Sequence, residues 1–250
     1  MVRCEDVVNF LDTYLNSAQI PDASHNGLQV SGAQDVKKIV FGVSASLELF
    51  EQASYAGANL IVVHHGLLWG QEQAITGMFR ERIAFLLKNN IGLAAYHLPL
   101  DKHSVVGHNA CLMRALNAQC VQPFGTYHGV EIGYSGQIDK PLSQIVTTLE
   151  QYCQTKAQVL AFGRENVGKA AVVSGGAHSL LPQAIDQKLD LYITGVLDEP
   201  VQEWCREGHI NCVALGHYNS EKPGILALKD LVAKHFTGVE TQFIDVPNTI

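Results

Sequence analysis

Two adjacent histidines, His64 and His65, close the apolar run Leu60-Ile61-Val62-Val63. A β-branched run bounded by Gly66 reads as a buried strand, and open α/β sheets place their ligands at the C-terminal ends of such strands. Imidazoles there are either metal ligands or polar residues satisfied within the core. Two later segments repeat the theme: His97 and Asp101 flank Leu98-Pro99-Leu100, and His217 and Glu221 flank Tyr218-Asn219-Ser220. Each of these His-x-x-x-carboxylate pairs again follows a buried-strand pattern. If the three segments meet, His64, His65, Asp101, His217 and Glu221 surround one pocket. Imidazoles with carboxylates suit Zn, Fe, Mn or Ni, whereas Mg and Ca prefer all-oxygen shells. Successive strand residues point to opposite faces, so His64 and His65 reach two ions more easily than they chelate one. A close pair of divalent cations is suited to activating water in a displacement.

Each residue also has a plainer reading. Asp101 and Glu221 fit as helix N-terminal acids stabilised by the dipole. His103, His108, His128, His178, His209 and His235 read as ordinary polar residues. Ser174-Gly175-Gly176-Ala177 follows a strand and reads either as a phosphate cradle or as the tight turn any βα unit needs. Arg80 and Arg82 would contact an anion or, as the plainer reading has it, line a solvated helix face, and Trp69 and Tyr96 would shield the histidines or stack on a base. The chain carries no P-loop, dinucleotide fingerprint or Gly-x-Ser-x-Gly elbow.

The elements that must position these residues alternate between strand and helix patterns, which predicts an α/β fold. An amphipathic helix is expected over about 4–17. Strands are expected at Ile39–Val43, Leu60–His64, Leu93–Tyr96, Ala171–Ser174, Leu191–Thr194, Cys212–Leu215 and Thr241–Val246. Helical patterns cover Met78–Lys88, Asn109–Leu116, Leu180–Gln187 and Gly224–His235. The chain also resembles itself: Lys38–His64 lies over Lys169–Gly195 without a gap, and Leu93–Asp101 lies over Val213–Glu221. This predicts two related βαβ-type halves, an internal duplication, with an inserted α+β segment between them. The expected division is residues 1–120 carrying His64, His65 and Asp101, an insert at 121–165, and 166–250 carrying His217 and Glu221.

Bulk properties bound the function. The 250 residues carry a net charge of −7 with no basic arm, which argues against nucleic-acid binding. The start of the chain lacks the pattern of a signal peptide and no apolar run approaches the ~20 residues of a membrane span, so a cytoplasmic protein is expected. The six cysteines lack Cys-x-x-Cys spacing, and reduced thiols are the expected state.

Asn26-Gly27-Leu28-Gln29-Val30, Val63-His64-His65-Gly66-Leu67-Leu68-Trp69, His97-Leu98-Pro99-Leu100-Asp101 and Gly216-His217-x-x-x-Glu221 resemble the NIF-three-like family. Its members are commonly called GTP cyclohydrolase I type 2 homologues, and the resemblance runs nearly end to end. It implies a dinuclear site in which His65 and Asp101 hold one ion, His64 and His217 the other, and Glu221 bridges both. His97 would orient ligands or substrate without binding metal. The family further implies a ring-shaped homohexamer. The resulting expectation is a metal-dependent hydrolase that activates water against an anionic small molecule, with Glu221 and His97 as catalytic candidates. The alternative is a metal-loaded scaffold or metal carrier without turnover.

Overall fold

The computed structural model describes residues 2–250. By compactness the chain divides into two units: residues 1–100 with 225–247, and residues 101–224 with 248–250. This differs from the three-part division at 120 and 165 expected from the repeats. The segment 121–165 forms no body of its own. Its strands and helix join the second unit, whereas the last helix from Ile225 onward and the strand Glu240–Phe243 belong to the first.

In the first unit the helix Cys4–Leu15 buries Cys4, Val7, Val8, Leu11 and Leu15, the stripe that its helical period dictates. It stops at Asn16, which takes the left-handed conformation that asparagine tolerates. The sheet runs in the order Glu240–Phe243, Lys38–Ser44, Leu60–His65, Gly92–Ala95, Gly27–Val30. The first four strands are parallel and the last is antiparallel. Ile39 to Val43 and Leu60 to Val63 are buried without alternation, as expected of strands covered on both faces. The helix Leu47–Tyr55, capped by the Ser46 side chain on Leu49 N, packs Leu49, Phe50 and Ala53 against Val40, Ile61 and Leu93.

The second unit's sheet runs in the order Gln119–Tyr127, Val130–Pro141, Asn166–Val172, Leu191–Thr194, Asn211–Ala214, Gln158–Ala161. The three strands from Asn166–Val172 to Asn211–Ala214 are parallel, and antiparallel strands flank them on both sides. Ile145, Leu149, Val172, Ile193 and Val213 form its core with Leu112 and Leu116 of the helix His108–Ala115 and its end. The mixed α/β class is as expected. Gln119–Tyr127 is not legible in the sequence, because this edge strand buries only Phe124 and Gly125.

The helix His217–His235 starts earlier than its apolar pattern suggests and contains Pro223. The cysteines are free thiols, and only Cys120 is exposed. Burial pushes the Cys153 thiol up to about 12, so it remains protonated near neutrality. Among the described residues, no helix is long and apolar enough to cross a membrane.

Candidate metal centre

The expected site residues fall in both units: His64 and His65 in the first, Asp101, His217 and Glu221 in the second.

In the first unit the strand Leu60–His65 ends on the two histidines, the first buried and the second half-buried. His64 Nδ1 lies 2.9 Å from the carbonyl oxygen of Tyr96. A carbonyl only accepts, so Nδ1 carries the proton and Nε2 keeps its lone pair. Ser44 Oγ shares a 3.0 Å hydrogen bond with His65 Nδ1. His97 Nδ1 lies 2.9 Å from Asp22 Oδ1, and one ring nitrogen from each of His64, His65 and His97 lies within 4.8 Å of the others. Trp69 stands edge-on to His97 at 4.9 Å between ring centroids and donates its indole N–H to Gly66 O at 3.0 Å.

Three residues whose role residue types alone did not reveal hold this cluster. Asp22 accepts from Ser24 N, Asn26 Nδ2 and Leu98 N besides the His97 ring. Burial pushes the Asp22 carboxyl up, but the hydrogen bond and charge of His97, with Asn26 and Ser24, prevail and lower it to about 2. Asn26 Oδ1 takes the backbone N–H of His97 at 2.8 Å. Gln29 accepts from Leu67 N at 2.6 Å and from Leu68 N at 3.2 Å, and donates to His25 O, which pins the turn just after His65. The Asn26-to-Val30 segment is thus a clamp on the histidines. Asp22 lies 75 residues from His97, so no local pattern could have signalled it.

In the second unit Asp101 ends the helical turn Leu98–Asp101 and is buried. Ser174 Oγ donates to its Oδ1 at 3.2 Å. Asn109, fully buried, donates to the carbonyls of Asp101 and Ile132 and accepts from Ser174 N. His217 and Glu221 are one helical turn apart, with His217 Nε2 3.3 Å from Glu221 Oε1. Glu221 is 3% exposed. Gly175 lies against this pair with φ +68°, and a Cβ there would overlap the Glu221 carboxylate. The Ser174-Gly175-Gly176 turn is therefore required for close approach to these side chains, which displaces the reading of it as a phosphate cradle.

The remaining histidines mostly have structural work. His103 Nδ1 accepts from Val105 N and Val106 N, His209 ends a helix in the left-handed conformation, and His235 stacks on Phe10 at 3.9 Å.

The chemistry of the donors fits transition-metal ions. Ligating histidines characteristically donate the other ring N–H to a carbonyl or carboxylate, as His64 does to Tyr96. Buried carboxylates such as Asp101 and Glu221 are costly unless a positive partner compensates them.

Comparison with known families settles the ancestry. The model of the family Duf34/NIF3 (NGG1p interacting factor 3) matches residues 2–249. The chain belongs to the Duf34/NIF3 family. A relative from Archaeoglobus fulgidus named GTP cyclohydrolase 1 type 2 homolog is 42% identical over 247 residues, 98% of each chain. A protein of the same name from Pyrococcus horikoshii is 40% identical, over 97% of this chain and 98% of its own. Among solved structures, one described as protein ybgI, of unknown function, matches at TM-score 0.92 and 34% identity over 100% of both chains. TTHA1606 from Thermus thermophilus matches at TM-score 0.92 and 32% identity over 100% of both chains.

Proposed function

We propose that this Duf34/NIF3 member binds two divalent transition-metal ions, Zn, Fe, Mn or Ni, through His64, His65, Asp101, His217 and Glu221, and uses them in hydrolysis. The observation that carries the reading is the cluster of His64, His65 and His97 at one strand end, in which His64 donates its Nδ1–H to the Tyr96 carbonyl and so directs Nε2 as a metal-ligating histidine does. In the assignment that the family resemblance implies, His65 and Asp101 serve one ion, His64 and His217 the other, and Glu221 both. When bound, such a pair supplies Lewis acidity and activates water.

The chain's own residues add to this. Asp22 holds the Nδ1–H of His97, which leaves His97 Nε2 able to accept a proton in the neutral ring. Gln29 and Trp69 fix the turn that follows the histidines and cover one side of it. The relatives' name points to purine-nucleotide ring opening, and an anionic small molecule is the substrate class proposed. A cytoplasmic homohexameric ring completes the proposal, and light scattering on the purified chain tests the assembly.

The deciding experiment is elemental analysis of protein purified without chelator or tag-borne metal, followed by a hydrolysis screen. About two ions per chain, with occupancy lost in His64→Ala and Asp101→Ala, supports the paired site. Turnover lost in Glu221→Ala with the fold retained supports hydrolysis. A chain that refuses added Zn, Mn, Fe and Ni overturns the reading. Two tightly held ions with no turnover across the screen would make the protein a metal-loaded scaffold or carrier instead.

A further inference from the structure

Beside the histidine cluster of the first unit, Trp69 keeps 38% of its surface exposed, although tryptophan is on average a highly buried residue. It is not a loose loop side chain. Its backbone pairs with Ser24 in an antiparallel bridge, with Gly70 N on Ala23 O at 2.6 Å and His25 N on Leu68 O at 3.0 Å. The indole N–H is held by Gly66 O at 3.0 Å. The ring meets His97 at 4.9 Å and an interplanar angle of 74°, and lies 6.2 Å from the His65 ring. An edge-to-face contact of this kind covers at most one flat face of the indole. The ring is thus fixed in place, next to the histidines and open to solvent. With its N–H spent on Gly66, what Trp69 offers a ligand is π surface. Such a surface takes either a flat ring or a cation. Divalent ions on the adjoining histidines would repel a cationic ligand, which leaves the flat ring.

We propose that Trp69 is the platform on which the base of a nucleotide substrate stacks. A nucleotide joins the anionic group that metal ions attract to the flat ring that the indole accepts. The platform is pre-organised: a ring already pinned by Gly66 and by the bridge to Ser24 has little freedom left to lose when a ligand arrives. Stacking tolerates different bases, because every base has a π face, so Trp69 selects for the presence of a base rather than for its hydrogen-bonding edge. This inference rests on the metal-site reading proposed above and narrows its anionic small molecule to a nucleotide.

Fluorescence and calorimetric titrations of the full-length chain loaded with Zn(II) test it. Trp69 and Trp204 are its two tryptophans, and Trp204 lies on the helix Val201–Gly208 of the other unit, so Trp204→Phe leaves Trp69 as the reporter. GMP and UMP should each quench that reporter, whereas ribose 5-phosphate, a phosphate without a base, should not. Trp69→Leu keeps apolar bulk and removes the aromatic face. It should bind GMP about 5- to 140-fold more weakly while keeping its Zn(II) content and its affinity for ribose 5-phosphate. Trp69→Phe, with a smaller ring, should recover part of the loss. GMP binding undiminished in Trp69→Leu overturns the proposal. So does a Zn(II)-loaded chain that binds GMP no more tightly than ribose 5-phosphate. Zn(II) lost from Trp69→Leu would make the residue a structural prop and overturn it as well. If the unaltered chain takes up no Zn(II), the metal-site reading itself fails and the platform falls with it.

Discussion

Ser44 in the first unit and Gly175 in the second are set over one another by the sequence alignment of two strand–helix–strand segments with similar parallel pairing. Ile39 pairs with Leu60 in one parallel pair of strands, and Ala170 pairs with Leu191 in the other. The superposed sequences set Ile39 over Ala170, Leu60 over Leu191 and Ser44 over Gly175. In each unit a third parallel strand follows, and an antiparallel strand lies beside it. The end of the first strand and the residues just after it are where the two part. Ser44 supplies a hydroxyl to the His65 ring, whereas Gly175 supplies absence of a side chain, leaving space for Glu221 and His217. One frame steadies imidazoles by hydrogen bonds, and the other admits a carboxylate by clearance.

Cutting the two cores in parallel is the most severe test of this comparison. Ile61 and Ile193 are fully buried on equivalent central strands. Ile61→Ala and Ile193→Ala should each cost about 2–5 kcal/mol. Amide hydrogen exchange should show protection lost first in the strands of the unit that carries the change, and uniform loss would show that the units do not respond separately. A smaller effect is expected from Gly175→Ala, which combines a positive φ with overlap on Glu221; about 1–3 kcal/mol is expected by chemical denaturation. Gly129→Ala also has a positive φ, but its Cβ would meet nothing, so it should cost less. Equal costs would mean that clearance at Gly175 is not what selects glycine.

The third comparison is by pH. The Asp22 carboxyl is lowered to about 2 in the folded chain, against an unfolded value of about 3.9. A lowered pKa stabilises the fold fully above the unfolded value, and that stability is lost as pH falls from about 4 toward 2. Asp22→Asn should therefore flatten the acid limb of a circular-dichroism titration in that window, and an unchanged limb would remove Asp22 from the account. The smallest effect concerns the edge of the first sheet, where Lys38 Nζ lies 2.8 Å from Glu240 Oε1. Glu240 is exposed, and Glu240→Gln should cost about 0.2–1 kcal/mol, shrinking further in high salt.

What the sequence made legible follows from where information is local. The strand Leu60–His65 announces itself by an unbroken apolar run, and its histidines by standing at the end of that run. Pairs such as His217 with Glu221 are legible because a helix brings residues four apart together. Asp22 and Asn26 escape because their partners are 71 to 76 residues away and their own surroundings resemble an ordinary polar turn. Gly175 looks like any βα-turn glycine, since its reason lies in a helix that comes later in the chain. Residue spacing marks where chemistry could occur, and distant hydrogen bonds decide which ring nitrogen is presented.

The edge strand Glu240–Phe243 pairs with Lys38–Ser44, so the histidine-bearing unit takes a piece of its sheet from late in the chain. The other unit is continuous from Asp101 to Gly224 except for residues 248–250. At the ribosome, where the chain grows by about 5–20 residues per second, this layout predicts the reverse of the usual order. The middle of the chain can close first while the N-terminal strands wait for a late partner. A chain truncated before Glu240 and released from the ribosome should show a protease-resistant Asp101–Gly224 region and a digestible N-terminal region.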